Sequence, residues 1–362
     1  MSFATSWIDA RRLQGIELSL LRKMMAEAPP DAINLALGEL SFDFPDLLRE
    51  QAARLLAKAQ PAYTPNAGLA LLREAVYRYL NLDKPQQVCI CNGAEEALYI
   101  ALQGIVNPGD IVAIPDPDYP AYPVLAQLAG AELIRLPFAD DFRSIDWAEW
   151  ETKLMHSKAL LLSNPSNPSG YRFSERDFAR LAKILNQNHI ILIIDEIYQD
   201  LFFDEALIPH YHLVERIIRI GGVSKSHLMS GWRIGWLIAD EKEITELVKL
   251  KQYISTCAPW LSQALAAYAL QCPEIVQDVR AQLTHNRALC LSTLAASVLH
   301  APVAGPYLML KCADGSARAA ELIRKGVITV PGIAFGLKGR EWIRLNIGVP
   351  QPTLQQALRS FL

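Results

Sequence analysis

Several polar residues of this 362-residue chain stand where a short apolar run ends, and their types could do chemistry on a bound ligand. Asp195 directly follows the apolar run Ile190–Ile194, where a carboxylate is costly to bury unless it meets a cation. Lys225 lies between two serines after another run and supplies an amine, which is a nucleophile once deprotonated. Arg233 follows with a planar fork of N–H groups that matches two oxygens of a phosphate. A lysine between serines is by itself typical of a solvated loop. Only its combination with Asp195 and Arg233 indicates a binding site.

Two further segments stand at predicted strand ends. Residues 163–170 contain two Asn-Pro steps, which force extended or turn geometry and hold the amide of Asn167 rigidly. Gly93 opens a tight turn into a helix, where the free N–H groups of Ala94 and Glu95 would suit a phosphate. Open α/β sheets bind ligands at the carboxyl ends of their strands, so we expect all these groups at one edge of a sheet.

Seven short apolar runs, separated by stretches of helical period, predict the sheet that would position these groups. Most of the runs are continuous rather than alternating, which is typical of strands covered by helices on both faces. The predicted strands are Val88–Cys91, Ile111–Pro115, Glu132–Leu136, Ala159–Ser163, Ile190–Ile194, Ile217–Ile220 and Gly235–Ala239. The fold class is therefore predicted as α/β, with a mostly parallel seven-stranded sheet between layers of helices.

After Ala239 the pattern changes to long helices followed by short strands, which indicates a second, smaller α+β domain. The predicted helices are Glu241–Ile254, Leu261–Leu270 and Glu274–Leu299, and the predicted strands are Tyr307–Lys311, Val327–Val330 and Trp342–Ile347. We predict three parts: an N-terminal segment 1–45 that packs on the smaller domain, a large domain 46–255 and a small C-terminal domain 256–362.

The composition argues against several classes of protein. Lys and Arg total 35 against 38 Asp and Glu, without a basic block, so we expect no nucleic-acid partner. Hydrophobic residues make up 51%, but the longest uncharged stretches, 252–273 and 288–310, contain prolines and several polar residues. We therefore predict buried helices and no membrane partner. The first twelve residues lack a charged segment before an apolar run, which predicts no signal peptide.

The six cysteines include no CxxC pair, which favours buried thiols in a reducing cytoplasm and no metal site. No GxGxxG follows the first strand, so a nicotinamide oxidoreductase is disfavoured, and neither an HExxH nor a Walker motif occurs.

Taken together and in this order, Gly93, Asn167, Asp195, Lys225 and Arg233 resemble the class I and II aminotransferases, the fold-type I enzymes of pyridoxal 5'-phosphate. The resemblance covers nearly the whole chain. Three further segments also look like the family's pattern: Tyr63–Gly68, Leu72–Ala75 and Ile343–Asn346. The resemblance implies a transaminase that exchanges an amino group between an L-amino acid and a 2-oxo acid.

The resemblance implies a role for each group around the cofactor ring. Lys225 would form the Schiff base with the cofactor aldehyde and later shuttle the proton. Asp195 would face the pyridine nitrogen and keep it protonated. Asn167 and Tyr198 would donate to the phenolate oxygen of the ring, and Tyr119 would stack on its face.

The resemblance also implies how the phosphate and the substrate are held. The groups for the phosphate are the N–H groups of Ala94 and Glu95 after Gly93, the hydroxyls of Ser224 and Ser226, the guanidinium of Arg233, and Tyr63 from the neighbouring subunit. A homodimer is then required for a complete site. Arg344 would grip the substrate α-carboxylate, and the backbone of Gly38 would lie near it.

Departures from the family pattern bear on the substrate. Leu40 follows Gly38-Glu39 where the family often has a proline. The side chains of Glu95 and Glu96 are expected to point away from the phosphate. No arginine stands near Pro259-Trp260 for a distal carboxylate, which favours a neutral or aromatic amino donor over aspartate.

Two alternatives remain open at the level of the sequence. A β-lyase acting on C–S bonds or an amino-acid cyclase would use the same cofactor, since its electron sink serves elimination as well as transfer. An aminotransferase-like sensor domain of a transcription regulator is disfavoured, because no DNA-binding segment or basic patch is evident.

Overall fold

The computed structural model describes residues 10–58, 62–83, 87–140, 142, 144–204, 210–294 and 298–362. Its strands, numbered along the chain, are β1 Ile33–Asn34, β2 Val88–Cys91, β3 Ile111–Asp116, β4 Glu132–Pro137, β5 Ala159–Ser163, β6 Ile191–Asp195, β7 Ile217–Gly222, β8 Gly235–Ile238, β9 Val298–His300, β10 Tyr307–Lys311, β11 Val327–Ile328, β12 Val330–Pro331 and β13 Trp342–Asn346. Its α-helices are α1 Leu20–Glu27, α2 Asp46–Ala57, α3 Ala70–Tyr79, α4 Ala94–Ile105, α5 Ala121–Leu128, α6 Trp147–Leu154, α7 Glu175–Gln187, α8 Glu241–Ile254, α9 Trp260–Ala269, α10 Pro273–Leu294, α11 Gly315–Arg324 and α12 Gln351–Leu358.

The central sheet has seven strands in the order β2-β8-β7-β6-β5-β3-β4. Strand β8 runs antiparallel to both of its neighbours, and every other pair in this sheet is parallel. All seven strands predicted from the apolar runs are present, and the α/β fold class is confirmed. Strand order reverses at β3, which lies between β4 and β5, and such a switch point is where open α/β sheets hold ligands.

Helix α7 shows why the faces of the sheet are covered. Ser174 caps the helix by accepting from the N–H of Asp177 at 3.1 Å, and charged residues occupy one side. The other side buries Phe178, Leu181 and neighbouring apolar residues, as its amphipathic period predicts. The apolar face of the amphipathic helix thus packs on the apolar face of the sheet.

The C-terminal part departs from the prediction at two places. The predicted helix Glu274–Leu299 is wrong at its end, because α10 stops at Leu294 and β9 pairs antiparallel with β10. The predicted strand Val327–Val330 divides: β11 pairs parallel with β1, whereas β12 pairs antiparallel with β13. These conformations are decided by pairing with other strands, which the pattern of apolar residues within the segment does not predict.

The N-terminal segment packs against the C-terminal part of the chain. Ile33 pairs with Val327, and Leu35 and Leu40 share a core with residues of α10, β10, β13 and α12. Helix α9 lies beyond residue 255, yet its Leu265 shares a different core with α3 and β2. The division of the chain at residues 45 and 255 stays a prediction. No helix in the described ranges is long and apolar enough to cross a membrane.

Candidate active site

A cavity of about 850 Å³ opens at the carboxyl ends of the parallel strands. Residues from the large sheet, from the N-terminal segment and from the C-terminal part line it together. The sequence-predicted residues on its wall are Gly38, Ala94, Glu95, Tyr119, Asn167, Asp195, Tyr198, Ser224, Lys225, Arg233 and Arg344. Their convergence depends on strand ends that are far apart in sequence.

Three predicted residues do not line the cavity. Gly93 caps the start of α4 with φ +88°, directly behind the wall. Ser226 is buried and hydrogen-bonds to Nδ1 of His227 at 2.9 Å. Tyr63 is 89% exposed on the surface of the chain. The structure therefore brings Gly93 to the site and leaves Ser226 and Tyr63 outside it within one subunit.

Asp195 is the last residue of β6 and is buried. Its Oδ1 accepts from the N–H of Ile197 and its Oδ2 from the hydroxyl of Tyr122, both at 3.0 Å. Burial raises the pKa of Asp195 to about 6, against the two hydrogen bonds and the charge of Lys225, which lower it. Sequence reasoning missed Tyr122, although it lies only three residues after Tyr119. The two hydrogen bonds thus hold the carboxylate at the cavity wall, where it can face a cationic group of a ligand.

Lys225 follows β7 and is half-buried on the cavity wall. Its side chain makes no hydrogen bond or ion pair with the residues that the structure describes. It lies close enough to Asp195 and Glu95 for its charge to lower the pKa of both carboxyl groups. An amine without a hydrogen-bond partner among the described residues can attack a carbonyl ligand once it is deprotonated.

A cradle for an anion lies at the start of α4. The N–H groups of the first helical turn have no partner within the helix, and the dipole favours negative charge there. Arg233 donates from Nη1 to the carbonyl of Ser230 at 3.0 Å and from Nη2 to that of Asn92 at 3.3 Å. These contacts anchor its guanidinium against the turn at Gly93.

Two glycines keep this cradle open. A Cβ added to Gly93 would lie 2.4 Å from Nη2 of Arg233, and one added to Gly235 would lie 2.5 Å from the nitrogen of Ala94. Backbone N–H groups, the Ser224 hydroxyl and a guanidinium thus face the same space. This donor set fits a phosphate dianion.

Arg344 lies on β13 and is buried at the cavity wall. Nη1 donates to Oδ1 of Asn167 at 2.8 Å, and Nη2 donates to the carbonyl of Ala36. The guanidinium carbon lies 4.1 Å from the ring centre of Tyr307 and 4.7 Å from that of Phe335. Its Nε has no hydrogen-bond partner among the described residues. The fork is oriented yet retains donor capacity for a carboxylate.

Tyr307 connects this arginine to Tyr198 and Gly38. The two tyrosine hydroxyls lie 2.6 Å apart, and burial raises the pKa of Tyr198. A Cβ added to Gly38 would lie 2.4 Å from the Tyr307 hydroxyl, so the Gly38 backbone approaches closely. Asn346 holds the same segment by donating to the carbonyls of Leu37 and Glu39, at 2.7 and 2.6 Å. Sequence reasoning missed the role of Tyr307, which opens a short strand without any local polar signal.

The prediction that both acidic side chains after Gly93 point away is wrong for one of them. Glu96 turns back and accepts from the backbone N–H of Asn92 at 2.7 Å. Glu95 lines the cavity and accepts from the Tyr119 hydroxyl at 3.4 Å. Successive helical residues differ in direction by about 100°, so the two carboxylates cannot both turn back.

A family model for aminotransferase class I and II matches residues 30–361 of the chain. The chain belongs to this family. A probable aspartate aminotransferase of Methanocaldococcus jannaschii is 30% identical, and the match covers 96% of this chain and 97% of that protein. Aromatic-amino-acid aminotransferase 2 of Thermococcus litoralis is 28% identical, over 96% of this chain and 95% of that protein.

The fold comparison agrees with the family. The aspartate aminotransferase of Thermus thermophilus, solved with maleate, superposes with a TM-score of 0.90 at 26% identity and covers 98% of both chains. The chain is thus a transaminase with the fold of the fold-type I enzymes, as the resemblance implied. The lyase, cyclase and sensor alternatives are not favoured by these relatives. The family uses pyridoxal 5'-phosphate.

Proposed function

We propose that this aminotransferase binds pyridoxal 5'-phosphate covalently through Nζ of Lys225 and exchanges amino groups between a neutral or aromatic L-amino acid and a 2-oxo acid. The observation that carries the proposal is the unpaired amine of Lys225 in one cavity with a buried carboxylate, an anion cradle and a second, oriented guanidinium.

The residues present fit the cofactor. In the proposal its phosphate is held by the N–H groups of Ala94 and Glu95, the Ser224 hydroxyl and Arg233. When bound, the cofactor supplies an electron sink for the carbanion that remains after the α-proton leaves. Asp195 holds the proton on the ring nitrogen, which keeps that sink strong.

The remaining groups orient the ring. Oδ1 of Asn167 already accepts from Arg344, which leaves its amide Nδ2 as the donor to the phenolic oxygen. Tyr198 donates to the same oxygen through its hydroxyl, and its raised pKa keeps the proton on that hydroxyl. Tyr119 stacks on the ring face. Nζ of Lys225 would take the α-proton of the substrate and return it.

The substrate is anchored at its α-carboxylate by Arg344, with the backbone of Gly38 beside it. The fork is held by Asn167 and Ala36, so little conformational entropy is lost when a carboxylate binds. Tyr307 and Phe335 lie on the faces of this arginine and give the cavity aromatic surface. That surface supports a neutral or aromatic donor, and the Thermococcus litoralis relative bears a name of that class.

The proposed assembly is a homodimer in the cytoplasm. Tyr63 and Tyr253 are 89% and 85% exposed, and their segments are joined by a 2.9 Å hydrogen bond from Asn66 to the carbonyl of Thr256. Two exposed tyrosines on adjoining segments support an interface through which Tyr63 reaches the partner's phosphate. The six cysteines are free thiols, which supports a reducing compartment. No cluster of three or more His, Cys, Asp or Glu suited to a metal occurs among the described residues.

The test compares wild type with Lys225→Ala and with Lys249→Ala, an exposed lysine remote from the cavity. After cofactor loading and borohydride reduction, peptide mass spectrometry is expected to find the cofactor on Lys225 in wild type and in the control variant. Lys225→Ala is expected to carry no adduct and to lose amino transfer. An adduct of unchanged yield in Lys225→Ala would refute the assignment. A donor panel completes the test: 2-oxo acid without ammonia indicates transfer, whereas released ammonia indicates elimination.

A further inference from the structure

The Glu95 side chain faces the cavity without a role in the function proposed above. Its only described hydrogen bond is the 3.4 Å contact from the Tyr119 hydroxyl, which is long for a charged acceptor. Other acidic residues on the wall have closer partners: Glu17 pairs with Lys23, and Glu39 accepts from Ser230. Glu95 is therefore a carboxylate whose only described hydrogen-bond partner is a phenol.

The cations near Glu95 are engaged once the enzyme is loaded. Lys225 and Arg233 are the two that act on Glu95 by their charge. In the proposed function Lys225 is bonded to the cofactor and Arg233 binds the phosphate. The negative charge of Glu95 is then left without a dedicated counter-charge on the wall of a partly enclosed cavity, where charges interact more strongly than in water.

We propose that Glu95 is a specificity-determining residue that excludes amino acids with a carboxylate side chain. The inference rests on the proposed function, because a substrate anchored by Arg344 must extend its side chain into the cavity that Glu95 lines. A second carboxylate there meets a like charge, whereas a neutral or aromatic side chain does not. Discrimination thus arises from repulsion of the wrong substrate in addition to attraction of the right one.

One cation on the wall would act in the opposite direction. Arg22 lines the mouth of the cavity, but it is exposed to solvent. Glu95 is exposed as well, so position distinguishes the two charges: Glu95 lies near enough to Lys225 for their charges to interact, and Arg22 is not among the cations that act on it. The repulsion by Glu95 therefore decides the preference.

The experiment measures binding of two unreactive carboxylic acids to the cofactor-loaded enzyme by calorimetry. Maleate carries a second carboxylate, and 3-phenylpropionate carries an aromatic end instead. Wild type is expected to prefer 3-phenylpropionate. Glu95→Gln is expected to lower the dissociation constant of maleate about tenfold and to change that of 3-phenylpropionate by no more than about twofold. The matched control Glu17→Gln also removes a wall carboxylate, but one that is ion-paired, and is expected to change neither constant.

The outcomes separate this inference from the proposed function. If Glu95→Gln and a second variant, Glu95→Ser, both leave the ratio of the two dissociation constants unchanged, the inference is overturned, even when amino transfer proceeds normally. If maleate tightens in the variants but no neutral or aromatic donor yields its 2-oxo acid, the inference stands and the proposed donor class falls. Cofactor absorbance checks that each variant has bound the cofactor. If only one of the two Glu95 variants does so, the dissociation constants of that variant decide the result.

Discussion

At Asp195, two hydrogen bonds oppose what burial does to the carboxyl group. Burial alone favours the neutral acid, while Ile197 and Tyr122 donate to the charged form and lower the pKa. The outcome, a pKa of about 6, leaves the group mostly ionised at neutral pH but close to titration. Tyr122 is therefore a positioning residue: its hydroxyl donates to Asp195 and favours the ionised carboxylate.

Replacing Tyr122 by Phe is expected to raise the pKa of Asp195 further, because one donor to the charged form is lost and the ring is kept. Ionised Asp195 exists above its pKa, so cofactor affinity should fall as the pH drops through that pKa. The midpoint of this fall should move up by about one pH unit in Tyr122→Phe, given the strength of a hydrogen bond to a charged group. Cofactor dissociation constants measured across pH test this.

Tyr171→Phe is the matched control for that variant. Its hydroxyl is buried without a hydrogen-bond partner among the described residues, and it lies outside the cavity. The control should keep the wild-type midpoint. Coincident midpoints for Tyr122→Phe and wild type would show that Tyr122 does not set the pKa of Asp195.

The sequence predicted the site residues that follow strands, and it missed those that only packing brings near. Asp195 stands directly after an apolar run and Lys225 a few residues after another, so their common edge followed from the fold class. Tyr122 reaches Asp195 from a helix face, and Tyr307 comes from another part of the chain altogether. The predicted direction of the Glu95 side chain was wrong. It is Glu96 that folds back to the N–H of Asn92, and the sequence does not show which of the two glutamates does so. A local sequence pattern does not predict which side chains from separate elements come into contact.

Among the elements, the approach of β8 to the start of α4 determines the shape of the proposed phosphate cradle. Gly235 on β8 lies directly under this turn, and a Cβ there would also lie 2.5 Å from the carbonyl carbon of Gly93. Both neighbouring atoms belong to the backbone, so neither can rotate away. The cradle therefore depends on a strand and a helix that meet without a side chain between them.

Gly235→Ala is accordingly expected to push α4 away from β8. We expect a loss of about 1–3 kcal/mol in the free energy of unfolding, together with weaker cofactor binding, because the overpacked contact moves the N–H groups. Urea unfolding and a cofactor titration measure the two effects. Gly231→Ala, where an added Cβ meets nothing within 4 Å, should keep the unfolding free energy within about 0.5 kcal/mol. Equal stability of the two variants would contradict the argument.

The strands of the central sheet were predictable for a reason that fails in the C-terminal part. Strands buried on both faces are continuous apolar runs, and the helices between them have a clear period. Beyond α10 the strands are short, and β11 and β12 change sheets across a single residue. Their limits are set by pairing with β1, which lies far away in the sequence, and with β13, which follows an intervening loop, so only the assembled structure reveals them.

At the scale of the whole molecule, the cavity depends on fixed contact between distant parts of the chain. Asp116, at the end of β3, accepts from the N–H groups of Leu337 and Lys338 at 3.2 and 3.3 Å. The N–H of Asp118 donates to the carbonyl of Phe335 at 3.1 Å. Phe335, which packs on Arg344, is thereby tied to the sheet that carries Asp195. The proposed anchor for the substrate and the proposed groups for the cofactor are thus held as one unit.

The assembly itself supplies the last prediction. If Tyr63 completes the partner's site, a mixed dimer of Lys225→Ala and Tyr63→Phe subunits contains one intact site, in which Lys225 and Tyr63 come from different chains. Such dimers, isolated through two different tags, should regain about half of the wild-type activity. A mixed dimer of Lys225→Ala with Asn167→Ala is the control and should regain none, because both residues serve the same chain's site. The Tyr63→Phe homodimer contains no intact site and should be poorly active. Full activity of that homodimer, or failure of the first pair to exceed both it and the control, would place Tyr63 outside the partner's site.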